Sequence, residues 1–184
     1  MRVIINIDGG SRGNPGPGAS AYVIKDTAGK ILAQEGYFMP RCTNNQAEYT
    51  ALRLALIKSA ELHATDLEII SDSLLLVKQY LGEYKIKNAD LAARMDEIRQ
   101  LAKPFTIQIR HVLRHFNKEP DALANKAMDM QQSVGFNPIE NLNPPLPTAT
   151  PKPADNIVNG VEVKPVQRKA DKKQKQVEQP SLFD

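Results

Sequence analysis

Val3, Ile4, Ile5 and Ile7 form a run of β-branched residues interrupted only by Asn6. A run of that kind suits a central strand covered on both faces. It stops at Asp8, so the chain aims one carboxylate out of the end of an apolar strand. Gly9, Gly10, Gly13, Gly16 and Gly18 follow, interleaved with Asn14, Pro15 and Pro17. Those glycines can adopt φ angles closed to other residues and let a ligand backbone come close. Turn chemistry alone accounts for the same residues as a strand, a hairpin loop and a turn-forming aspartate.

Residues 19–25 and 30–39 read as two further strands, joined by the turn signal Asp26-Thr27-Ala28-Gly29, and with the first they make an antiparallel meander. From 44 to about 62 the period changes. Ala47, Ala51, Leu54 and Ala55 recur at helical spacing. Residues 67–70 are a short strand ending at Ser71-Asp72-Ser73, 74–81 a helix closed by Gly82, and 88–102 a helix stopped before Pro104. Residues 105–112 alternate as a strand, and after a loop over 113–119 a last helix begins at Pro120. A strand that hands over to a helix at Asp72 is a parallel βα unit. The expected architecture is α/β, a mixed five-stranded sheet of three antiparallel strands and then parallel βα units, flanked by helices.

The 41% hydrophobic content suffices for one core in a chain of 184 residues. That core is confined to residues 1–132, because eight of the thirteen prolines lie between Pro138 and Pro180. The formal charge is +3, and from Gln131 onward there are seven basic and six acidic residues, which leaves about +2 for the body. Nucleic-acid contacts, if made, must therefore be few and focused. Cys42 is the single cysteine, which excludes an intrachain disulfide and a cysteine-based zinc site. With no signal-like start and no apolar run of about 18 residues, the expectation is a cytoplasmic protein without a membrane span.

Asp8 ends the first strand, Glu48 lies in the first turns of the first helix, Asp72 ends the fourth strand and Asp121 opens the last helix. In an α/β sheet such positions face one crevice. Carboxylates packed there repel one another, and one stays protonated unless divalent cations neutralise them. Oxygen ligands favour magnesium or manganese over zinc. Two such ions about 3.5–4 Å apart can hold the attacking water and the leaving oxygen of one phosphorus. Individually, each acid also reads as an ordinary helix-start, surface or turn residue.

The segments DGGSRGNPGPGASAYV, TNNQAEYTAL, EIISDS and NKEPDALANKAMD, in this order and spacing, resemble ribonuclease H of type I over about residues 2–130. The resemblance implies an endonuclease of replication or repair that hydrolyses the RNA strand of RNA–DNA hybrids with two Mg2+ ions, Mn2+ being a possible substitute, and leaves 5′-phosphates. It matches the family's acids to Asp8, Glu48, Asp72 and Asp121. It places Asn14, Asn44 and Asn45 at the ribose 2′-OH, which asparagine can both donate to and accept from, although Asn44 also suits a helix N-cap. Arg41 and Thr43 fall at the family's pocket for a DNA phosphate. His115 is the candidate for the family's mobile catalytic histidine, with Arg114 beside it as the alternative. His111 belongs to a strand and His63 to the surface. The basic, tryptophan-bearing protrusion of many members is missing: 82–91 is short and the chain has no Trp.

Residues 133–178 read as a disordered Pro- and Lys-rich linker, basic over 164–175. The terminal segment 179–184 carries Gln179, Leu182 and Phe183 and resembles the peptide by which bacterial proteins dock on the DNA polymerase sliding clamp, a partner a flexible terminus could reach. The chain is expected to act as a monomer. The competing readings are a non-catalytic hybrid- or RNA-binding module, which would be expected to have lost an acid, and a DNA-directed nuclease of the same fold.

Overall fold

The computed structural model of the chain describes residues 1–136. The terminal peptide with Gln179, Leu182 and Phe183, and the proposed linker from residue 137 onward, lie outside the described residues. The strands are β1 (Arg2–Ser11), β2 (Gly16–Lys25), β3 (Ile31–Cys42), β4 (Asp66–Ser71), β5 (Thr106–His111) and β6 (Val134–Phe136). The helices are α1 (Asn44–Glu61), α2 (Leu74–Tyr80), α3 (Ala89–Ala102) and α4 (Lys118–Met130). One mixed sheet runs in the order β5-β4-β1-β2-β3-β6, with β1, β4 and β5 parallel and the remaining pairs antiparallel.

The expected α/β architecture is present with one strand more than expected. β6 pairs with β3 through Gly36 and Val134, so the sheet continues past residue 132. Three residues with a central glycine are too short to show a period. Gln131 turns the chain back at φ 50, a left-handed conformation that residues other than glycine seldom adopt.

Helices cover both faces. Val3, Ile5 and Ile7 of β1 pack with Tyr22, Ile24 and residues of α1 and α3 such as Leu52, Leu56, Met95 and Ile98. On the opposite face Ala19 and Ala21 of β2 meet Ala124, Ala127 and Met128 of α4. Both helices sit unusually close to the sheet, and glycine is the reason. A Cβ on Gly9 would lie 2.3 Å from the Glu48 amide nitrogen of α1, and one on Gly36 would lie 2.5 Å from the Leu123 carbonyl of α4. The backbone for which Gly9 leaves room is therefore the chain's own helix.

Three boundaries differ from expectation. β1 does not stop at Asp8, because Gly9, Gly10 and Ser11 go on pairing with Ser20, Ala19 and Gly18 of β2. Only residues 12–15 are left as the connecting loop. The cap of α1 is Thr43, not Asn44: its hydroxyl accepts from the Gln46 amide at 3.2 Å, and the Gln46 side chain accepts from the Thr43 amide at 2.9 Å. α4 begins at Lys118, which places Pro120 inside the first turn, where its missing N–H removes no helical bond.

The Gly9 contact predicts a sharp contrast. Gly9→Ala forces α1 and β1 apart and is expected to destabilise the protein by about 3 kcal/mol. Gly10→Ala, whose Cβ would have nothing nearer than Asn44 Oδ1 at 3.8 Å, should change stability by less than about 1 kcal/mol. Guanidinium denaturation of the two variants measures both; equal midpoints contradict the account.

Candidate active site

The last parallel pair between β1 and β4 joins Ile7 to Ser71. Asp8 and Asp72 are the next residue on each strand, so two carboxylates emerge side by side where β4 stops. Asp8 pairs with Ala21 across β2 and shares that residue's face, the one covered by α4. Asp72 is not spent as a helix cap. Ser73 caps α2, its hydroxyl accepting from the Leu76 amide at 3.4 Å, while the Ser73 amide donates to Ser71 Oγ at 3.0 Å.

Glu48 comes from the other face. The Gly9 contact and the bond that Ser20 Oγ donates to the Ala47 carbonyl at 2.7 Å hold this turn of α1 against the sheet. Asp121 enters from the first turn of α4. The four carboxylates, Asn44 and Arg114 line one open cleft of about 500 Å³.

Two of the acids have partners. Asp72 accepts from Asn117 Nδ2 at 2.7 Å, and Asp121 is ion-paired with the Arg114 guanidinium. Asn117, 1% exposed, also donates to the Ile7 carbonyl at 2.8 Å and accepts from Asn6 Nδ2 at 3.0 Å. It fastens β1, the end of β4 and the start of α4 together. Glu48 is 6% exposed and its Oε2 is buried with no hydrogen-bond partner.

Burial pushes the Asp8 carboxyl up to about 6, with Asp72 and Asp121 adding to the effect and the Gly9 amide and Arg114 opposing it. Glu48 is raised well above the usual glutamate range, first by burial and then by Asp8 and Asp72. A buried orphan oxygen among mutually repelling carboxylates is the donor set that a hard divalent cation satisfies. Among the described residues no three His, Cys, Asp or Glu side chains converge into a ready cage, Asp121 being turned to Arg114 and Asp72 to Asn117. Arg114, not His115, reaches the carboxylates. The His115 ring is exposed and packs on Phe116 with centroids 4.0 Å apart.

The other expected contacts are divided. Asn44 faces the cleft, and its backbone N–H donates to Asn14 Oδ1 at 3.1 Å, tying the glycine loop to the start of α1. Thr43 is engaged as the cap. Asn45 is half-buried, Arg41 is exposed at the end of β3, and neither lines the cleft. Sequence reasoning missed Asn117 altogether, leaving it inside the loop over 113–119, whereas it directly precedes α4 and makes no side-chain capping bond there.

Residues 6–127 match the family model described as reverse transcriptase-like. Over 129 residues the chain is 43% identical to ribonuclease HI of Halobacterium salinarum, covering 70% of this chain and 65% of that protein. The chain belongs to the ribonuclease H family. The ribonuclease H domain of Mycobacterium tuberculosis Rv2228c superposes with a TM-score of 0.69 at 39% identity, over 71% of this chain and 95% of that one. LC11-RNase H1, solved in complex with an RNA/DNA hybrid, gives 0.67 at 33% identity over 70% and 98%. The chain spans just under two thirds of the halobacterial protein and 36% of full-length Rv2228c. Ribonucleases H are metal-dependent enzymes, and the orphaned Glu48 oxygen agrees with that requirement.

Burial of Asp8, with its acidic neighbours, makes the stability of the metal-free protein depend on pH. Folding raises the Asp8 pKa from 3.8 to about 6, so the folded state holds a proton that the unfolded chain releases. Stability from this group falls as pH rises through that interval and stays low above it. Asp8→Asn should therefore stabilise the metal-free protein at pH 8 by up to about 3 kcal/mol, with the gain vanishing near pH 3.5. Thermal melts in chelator at both pH values measure it; a variant no more stable than wild type at pH 8 contradicts the strain.

Proposed function

We propose that the chain is an endonuclease that hydrolyses the RNA strand of RNA–DNA hybrids, with Asp8, Glu48, Asp72 and Asp121 holding two magnesium ions. Manganese is a possible substitute. The observation that carries the reading is the buried, unpartnered Glu48 Oε2 in a cleft that all four acids line. When bound, the ions supply positive charge beside the attacking and leaving oxygens of a phosphodiester. The protein's own share is positional. Asn117 holds Asp72 against the end of β1, Gly9 admits Glu48 beside Asp8, and Asn44 presents a group that can both donate to and accept from a ribose 2′-OH. Arg114 brings a cation to the cleft rim, where a phosphate would lie. The product would be a 5′-phosphate and a free 3′-OH.

Cleavage of labelled RNA–DNA hybrid, beside all-DNA duplex, double-stranded RNA and a duplex with one ribonucleotide, tests this directly. Hybrid should be cut in a magnesium-dependent manner and all-DNA duplex left intact. Asp8→Asn, which removes a charged ligand but keeps its shape, should lower the rate by more than about a hundredfold, whereas a loss within about threefold, under 1 kcal/mol, contradicts the reading.

A role in replication or repair as a cytoplasmic monomer fits this activity; none of the described helices is long and apolar enough to cross a membrane. The terminal Gln179, Leu182 and Phe183 support docking on a sliding clamp, because two adjacent apolar residues stand out from a polar, proline-rich segment. Changing Leu182 and Phe183 to Ala should abolish clamp binding and leave hydrolysis of a short free hybrid unchanged. Wild-type clamp affinity in that variant contradicts the docking.

A further inference from the structure

The partners of Asp72 and Asp121 differ in kind. Asn117 is neutral, buried and tied to three groups, so Asp72 can keep that bond and still offer its second oxygen to a cation. Arg114 is a full positive charge on a side chain 74% exposed, reaching Asp121 from a 3₁₀ turn over Arg114–Phe116. A guanidinium on one oxygen of Asp121 repels a divalent cation that approaches the other, so the two weaken each other's hold on that carboxylate.

We infer that Arg114 is the resident counter-cation of the free protein, covering the Asp121 side of the cleft and leaving it when a divalent cation binds there. This rests on the two-ion reading above. The exchange requires only a side-chain movement. The turn is held by bonds from the Phe116 amide to the Leu113 carbonyl at 2.8 Å and from the Asn117 amide to the Arg114 carbonyl at 2.9 Å, while the long arginine side chain lies at the surface and can swing outward. Once released it stays at the cleft rim, free to take a phosphate in the two-pronged geometry that guanidinium favours.

The two sides of the site are therefore unequal before substrate arrives. The side with Glu48 and Asp72 offers a bare, buried oxygen and feels the Arg114 charge only from a distance, without an ion pair to displace. The Asp121 side takes its ion only against Arg114. Substrate phosphate and the second ion then assist each other, since each favours the same outward position of Arg114.

Calorimetric titration of the substrate-free, 184-residue chain with Mn2+ tests this without any turnover. In Arg114→Ala the weaker binding event should tighten about two- to fivefold, the competition expected of a largely exposed ion pair. In an Asp121→Asn background the same substitution should give a clearly smaller gain, the remainder being the longer-range effect of the Arg114 charge on Asp8 and Glu48. Unchanged or weaker binding in Arg114→Ala, or a gain just as large without Asp121, overturns the inference. Hybrid cleavage by wild type alongside such a result overturns the inference alone; absence of Mn2+ binding in every variant overturns it together with the two-ion reading.

Discussion

The approach of α1 to β1 at Gly9 is the contact on which the site depends. Glu48 and Asp8 belong to different layers, a helix on one face and a strand side chain directed to the other. They can meet only if the helix backbone sits almost on the strand where the parallel partner has ended. The absence of a Cβ on Gly9 permits that distance, and Ser20 holds the helix there through the Ala47 carbonyl. The carboxylates are thus brought together by backbone packing rather than by attraction among themselves. Burial, and after it their mutual repulsion, raises the Asp8 and Glu48 pKa values, a cost offset by the apolar core behind them.

Asn117 has the complementary task on the opposite face. It is a buried polar residue with both ends of its amide satisfied, bonded to Asn6, the Ile7 carbonyl and Asp72. Such a residue specifies geometry, because any shift of α4 would leave a buried amide unpaired. Asp121, four residues further along, inherits its position from that anchor. The two faces of the sheet therefore meet the same requirement differently, by close backbone packing under Glu48 and by a hydrogen-bonded hub under Asp72 and Asp121.

Much of this was legible in the sequence. The β-branched run, the change of period at residue 44 and the strand-to-helix handover at Asp72 fix the class of architecture, and the positions of the four acids imply a common crevice. What escaped was what depends on distance between segments remote in sequence. Gly9 and Gly10 look alike in a glycine-rich stretch, yet only Gly9 lies under a helix. Asn117 has the local appearance of a loop residue, and its partners lie 45 and 110 or more residues away in sequence. β6 is too short for any pattern to appear. Arg114 and His115 are neighbours of similar chemistry, and only the turn they share decides which one faces the acids.

The central proposal is that Glu48 Oε2, which has no hydrogen-bond partner in the protein, ligates a divalent cation. Anomalous diffraction from crystals of the protein grown with Mn2+ addresses it most directly. The account predicts two peaks in the cleft, about 3.5–4 Å apart, with Glu48 Oε2 and Asp8 among the ligands and the fold otherwise unchanged. A cleft without anomalous signal at millimolar Mn2+, in which Glu48 Oε2 has instead found a protein or water partner, would contradict it.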